Sequence, residues 1–160
     1  LLREADKAGC LAAIASVLRP GGRIGLAESV PARGQRLSEL LDLSGLDPDA
    51  VARLKQAEEE AYRAPGDPLT GWDEASLAAD AAAAGFVVTG AGLDSSTGPR
   101  YVRDEDVERW FSGAWGGALA RRLTAAELEE VRRIARAGLA GREVSWRTAT
   151  LFLAAGKPAR

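Results

Sequence analysis

The chain has 160 residues, a formal net charge of -2, 46% hydrophobic and 28% charged residues, the balance of one globular domain. It holds no His, no Met and one Cys, Cys10, which excludes a Ser-His-Asp or Cys-His triad, a His-based metal site and an internal disulfide. No apolar run approaches a membrane span, and Asp6 and Lys7 interrupt any signal-like start. The expectation is a cytoplasmic protein without a metal centre. Lacking Met, the chain reads as a piece of a longer protein.

Charge is uneven along the chain. Residues 38–75 carry ten acidic and three basic residues, and residues 121–160 carry four acidic and nine basic. These read as solvated helix faces. With no aromatic interleaving in the basic stretch, direct nucleic-acid contact is not expected.

Residues 1–18 predict a helix, with Leu2, Ala5, Ala8 or Gly9, Ala12, Ala15 and Leu18 at helical spacing. Arg19-Pro20-Gly21-Gly22 ends it, because Pro cannot continue a helix and the Gly pair supplies turn geometry. Arg23 to Val30 then predicts a short strand buried on both faces, as in a parallel sheet. Arg36 to Leu43 reads as one or two helical turns. Pro48, capped by Asp47, opens a helix to about Arg63, with Glu58-Glu59-Glu60 mostly on its solvated side. Ala64-Pro65-Gly66-Asp67-Pro68 is a loop.

Trp72 to Ala84 predicts a further helix, preceded by Thr70 or Gly71 and ended by Gly85. Phe86 to Thr89 begins a strand that Gly90 and Gly92 weaken. Asp94 to Pro99 reads as turn-rich, with a short extended return over Arg100 to Arg103. Asp104 caps a helix through Val107, Trp110 and Phe111, which Gly113, Gly116 and Gly117 interrupt. Thr124 and Glu127 form a capping box for a helix through Leu128, Val131, Ile134 and Ala135, closing near Gly138 or Gly141. Glu143 to Ala155 is the longest predicted strand. Val144, Trp146, Thr148, Thr150 and Phe152 share one face, and Ser145, Arg147, Ala149, Leu151 and Leu153 the other. Its end is expected to be covered on both faces.

The run Val17-Leu18-Arg19-Pro20-Gly21-Gly22, leaving a helix and entering an apolar strand, resembles the L-x-P-G-G turn before the fifth strand of class I S-adenosylmethionine-dependent methyltransferases. Ala84-Gly85-Phe86 resembles the entry to the family's sixth strand, and the final strand resembles its seventh. The resemblance covers roughly the whole chain but only the second half of the fold. It implies an α/β class, the C-terminal half of a Rossmann-like sheet of about three strands with the last antiparallel between the other two. It also implies a helical insertion or lid over about residues 32–71. The family binds its cofactor through a glycine-rich turn after the first strand and an acidic residue ending the second, and neither element is present. S-adenosylmethionine is therefore expected in the parent protein and not to bind this chain tightly.

In open α/β sheets, ligands sit beyond the carboxyl ends of parallel strands. The substrate-facing candidates are accordingly Glu28, Ser29, Gln35 and Arg36: a carboxylate interrupting an apolar strand, its neighbour, and a planar guanidinium suited to an anionic group. No catalytic residue is assigned. Trp110, Phe111 and Trp115 read as core or a domain contact, Trp146 as core and Cys10 as a small packed residue.

The leading expectation is the C-terminal portion of a methyltransferase, contributing substrate wall and lid and inactive alone. Its partners would be the missing N-terminal half, a methyl acceptor and another copy in a homo-oligomer. A reading of another class is a non-catalytic interaction or dimerisation module of a larger protein, such as one following a AAA+ recombination ATPase. An unrelated small α/β enzyme is weakened by the thin catalytic inventory.

Overall fold

The computed structural model describes residues 6–64, 67 and 70–159. In chain order the elements are α1 (Lys7–Val17), β1 (Arg23–Ser29), two 3-10 turns (Pro31–Arg33 and Leu37–Glu39), α2 (Pro48–Ala61) and α3 (Glu74–Ala83). They continue with β2 (Val87–Val102), α4 (Asp104–Ser112), α5 (Ala114–Ala120), α6 (Ala125–Leu139) and β3 (Arg142–Gly156). The fold is α/β, and its three described strands form an antiparallel sheet in the order β1-β3-β2. β3 runs antiparallel to β1 from Arg23↔Gly156 to Ser29↔Thr150. Against β2 it is also antiparallel, since Thr89 Oγ1 donates to Ala154 O at 3.2 Å while Ser96 and Thr148 hydroxyls meet at 3.1 Å. The last strand thus lies between two strands that run the same way, as the resemblance implies.

The chain divides into two compact units. The first, a sheet unit, contains the chain up to Gly34, Ala64–Ser96 and the chain from Thr148. α1 starts at Lys7 because Asp6 caps it, its carboxylate accepting from Gly9 N at 2.7 Å. The expected positions Leu2 and Ala5 lie outside the described residues, as do Pro65, Gly66 and Pro68 of the expected loop. Gly21, at φ 74°, makes the turn into β1 in the left-handed region that favours glycine. α3 begins two residues later than Trp72, because Asp73 and Ser76 exchange hydrogen bonds as a capping box. Gly85, at φ 87°, ends it as expected. Leu11, Trp72, Leu77, Ala81, Phe86, Leu151 and Leu153 form the core under α1 and α3.

The two-sided burial expected of β1 does not occur. Ile24 and Leu26 pack against the core, whereas Gly25 and Ala27 are exposed. The end of β3 is likewise covered on one face: Ala149, Leu151, Leu153 and Ala155 are buried, and Phe152 on the other face is 52% exposed. The physical reason is that α1 and α3 cover one face of the sheet, and no described helix of this unit covers the other. A shallow groove of ≈ 400 Å³ crosses that open face, lined by Gly25 and Ala27, Phe152 and Ala154, and Gly90 and Gly92.

β2 also differs from expectation. One strand of 16 residues replaces the predicted strand, turn and return. The long partner β3 satisfies its backbone on one side, and as an edge strand it tolerates Pro99, which lacks an N–H.

The second, a helical unit, contains Gln35–Arg63 and Thr97–Arg147. Within it, residues 36–43 supply only the 3-10 turn Leu37–Glu39. Asp47 caps α2 as predicted, accepting from Asp49 N and Ala50 N. Asp104 is the first residue of α4 and not its cap; Asp106 instead accepts from Arg103 N at 3.1 Å. Gly113 breaks the helix, but Gly116 and Gly117 lie inside α5. Thr124 and Glu127 form the expected capping box of α6. One core gathers Leu37, Val102, Val107, Ala135 and Leu139, and another Leu54, Ala57, Leu119, Leu123 and Val131. Among the described residues no helix is long and apolar enough to cross a membrane.

Candidate functional site

In the sheet unit, α1 leads into β1 and α3 leads into β2, so both helices start at the carboxyl end of β1. Two contacts tie that end together. Lys7 Nζ lies 5.6 Å from the Trp72 ring centroid, and Arg33 donates to Glu74 at 2.8 Å. Val30 N donates to Ala149 O at 2.9 Å, carrying the ladder one residue past β1 before Pro31 turns the chain. Glu28 and Ser29 sit at this end, opposite Leu151 and Thr150. Alternation divides them: half-buried Glu28 shares the core face with Ile24 and Leu26, and exposed Ser29 shares the open face with Gly25 and Ala27.

Sealed polarity concentrates in the segment entering α3. Thr70 Oγ1, Trp72 Nε1 and Glu74 Oε2 are buried without hydrogen-bond partners. Asp73 between the last two is extended, at φ -143° and ψ -175°, so Trp72 and Glu74 project to the same side. Native structures leave few such atoms. Asp73 itself has its carboxyl held below the ordinary range, first by the Ser76 backbone N–H and against the effect of burial.

Gln35 and Arg36 belong to the helical unit, where they are 8% exposed and engaged. Gln35 Nε2 donates to Glu39 at 2.6 Å, and its Oε1 accepts from Arg147 N at 3.2 Å. Arg36 Nε donates to Glu59 at 2.7 Å, and its guanidinium lies 4.2 Å from the Tyr62 ring centroid. Arg36 is the main cause of the lowered Glu59 carboxyl. Burial raises the Tyr62 phenol, with Glu58 adding to the rise and Arg36 and Arg100 opposing it.

Glu58, read from sequence as part of a mostly solvated run, is 1% exposed. It accepts from Leu37 N, Ser38 N, Ser38 Oγ and Trp115 Nε1. Its sequence signal was its place on α2, one turn after buried Leu54. The basic residues of the C-terminal stretch mostly meet acids: Arg122 with Glu60, Arg133 with Glu130, and Arg132 and Arg136 with Glu108. The aromatic cluster divides as well. Phe111 and Trp115 meet edge to face at 5.2 Å, while Trp110 stacks on Trp146. Cys10 is free and half-buried.

The described residues do not fit the cofactor that the family resemblance implies. A glycine turn from strand into helix is what would let a pyrophosphate-like or sulfonium-bearing cofactor approach the backbone. Here Gly21 and Gly22 connect helix to strand, Gly90 and Gly92 lie within β2, and Gly116 and Gly117 lie within α5. Among the described residues no cluster of three His, Cys, Asp or Glu could hold a metal ion.

No protein-family model matches this sequence, and no curated protein does. Among solved structures, the chain is similar to one from Bacillus halodurans C-125 whose methyltransferase assignment is provisional. That likeness has 15% identity and a TM-score of 0.46, over 98% of this chain and 65% of the other. The chain therefore spans slightly less than two thirds of that structure's length.

Proposed function

We propose that this chain is the C-terminal portion of a class I S-adenosylmethionine-dependent methyltransferase-like domain, supplying substrate wall and lid. The observation that carries the reading is the insertion of β3, antiparallel, between β1 and β2. Its entry turns, Gly21 before β1 and Gly85 before β2, stand at the positions the resemblance names. In this reading Glu28 and Ser29 face the methyl acceptor from the carboxyl end of β1, beside the polar segment Thr70 to Glu74. Gln35 and Arg36 belong to the helical unit, whose segment Gln35–Arg63 falls within the expected lid. The cofactor belongs to the N-terminal half of the parent domain, and the chain alone is inactive. The open sheet face and the outer edge of β1, which has no strand neighbour among the described residues, support such a partner. The parent is a cytoplasmic protein.

The same open face supports a second reading, a non-catalytic interaction or dimerisation module of a larger protein. Calorimetry with S-adenosylmethionine on the chain and on the parent decides between them. Binding by the parent alone supports the methyltransferase reading. Tight binding by the chain alone overturns the division of labour, and no binding by either favours the module.

A further inference from the structure

Buried and half-buried guanidinium groups in the helical unit normally meet a carboxylate. Arg36 meets Glu59, Arg53 meets Glu127, and Arg147 meets Glu39. Arg100, near the end of β2, is the exception. Its guanidinium lies 4.1 Å from the Trp146 ring centroid and 5.5 Å from that of Trp110. The two indoles are themselves stacked, at 5.9 Å and 21°. Among the described residues the Arg100 side chain makes no hydrogen bond or ion pair, and none of its nitrogens is among the sealed polar atoms.

A guanidinium held over an indole by cation–π attraction keeps N–H groups that can still donate to a ligand. Two packed indoles from α4 and β3 hold those groups in one orientation, so little entropy remains to be lost on binding. We infer that Arg100, held beside the stacked pair Trp146 and Trp110, is a recognition site for the carboxylate of a small, flat organic acid. The planar fork matches a carboxylate in a bidentate arrangement, and the indole edges offer apolar surface to the body of the ligand. A dianion is disfavoured, because α4 opens with Asp104, Glu105 and Asp106. The site goes beyond the methyltransferase reading and stands whether or not that reading holds.

The test follows the four tryptophan indole N–H resonances of the full 15N-labelled chain. Sodium benzoate is titrated at constant ionic strength, with sodium phosphate and sodium chloride as parallel arms. The expected result is a saturable shift of the Trp146 and Trp110 indoles with benzoate, while Trp72 and Trp115 stay in place. Arg100→Gln should weaken binding by at least about tenfold, and Arg100→Lys, which keeps charge but loses the fork, should weaken it less. Arg103→Gln should leave it unchanged. A shift that does not saturate, that chloride reproduces, or that persists in both Arg100 variants overturns the site. Phosphate binding more tightly than benzoate overturns the ligand class.

Discussion

Glu58 accepts the hydroxyl hydrogen of Ser38 at 2.5 Å, across 20 positions of chain. The same carboxylate takes the Leu37 backbone N–H at 2.6 Å and the Trp115 indole at 3.3 Å. One buried side chain thus joins α2 to the turn at Leu37–Glu39 and to α5. Glu58→Ala leaves several buried donors without an acceptor, and each such donor costs about 1–3 kcal/mol. The expected loss is about 3 kcal/mol or more in urea unfolding. Ser38→Ala, which removes one donor, should cost only about 1 kcal/mol.

Gly116 and Gly117 are adjacent in α5 but should respond oppositely to alanine. A Cβ on Gly116 would lie 1.9 Å from Phe111 O, whereas one on Gly117 meets nothing within 4 Å. Gly116→Ala forces backbone apart and should lower stability by about 2 kcal/mol or more. Gly117→Ala should raise it by roughly 0.5–1 kcal/mol, because alanine loses less backbone freedom in a helix. Thermal unfolding of the two variants side by side checks the pair.

The sheet unit is covered on one face, and two neighbours on β3 report it. Leu151 is 1% exposed and Phe152 is 52% exposed. Leu151→Ala should cost about 3 kcal/mol. Phe152→Ser should change stability of the chain by less than about 1 kcal/mol. A comparable loss in both variants would mean that the Phe152 face is covered in solution.

Lys157 Nζ donates to Ala15 O at 2.7 Å and Leu18 O at 2.8 Å, placing a cation on the last carbonyls of α1. Lys157→Met should destabilise that helix end by about 1 kcal/mol. Amide hydrogen exchange would show faster opening over residues 13–18.

Asp73 gives a pH signature. Its folded-state pKa is depressed, chiefly by the Ser76 backbone N–H. The cap therefore contributes fully above the unfolded value and is lost as pH falls through the folded one. Asp73→Ala should cost about 1 kcal/mol near neutral pH. It should also flatten the decline in stability below about pH 4. An acid limb as steep as that of the parent chain would show that other carboxylates set it.

Local chemistry was legible wherever it acts over a few residues. Asp47, Thr124 with Glu127, Gly85 and Gly141 all cap or close helices at the predicted places. The order of the sheet was expected only through the family that the turn at Pro20-Gly21-Gly22, the Ala84-Gly85-Phe86 entry and the final alternating run resemble. Glu28 and Ser29 could be placed at a strand end, since strand direction follows from the helices on either side.

Long-range partnership was not legible. β2 continues through Gly90, Gly92 and Pro99 because β3 pairs with it, and local propensity alone reads that stretch as a turn. The burial of Glu58 depends on donors from Ser38 and Trp115, far from it in sequence. Gln35 and Arg36 lie only a few residues past β1, yet their partners are Glu39, Arg147 and Glu59. The Arg100 stack joins β2, α4 and β3, three elements whose neighbourhood no spacing rule encodes. The sequence by itself determined most helix ends, because those rest on backbone sterics and neighbouring side chains, while the strand-insertion topology was expected only through the family resemblance that its turns carry. Which polar groups are buried, paired or left free was decided by tertiary structure, because burial and pairing depend on what distant segments bring to the same place.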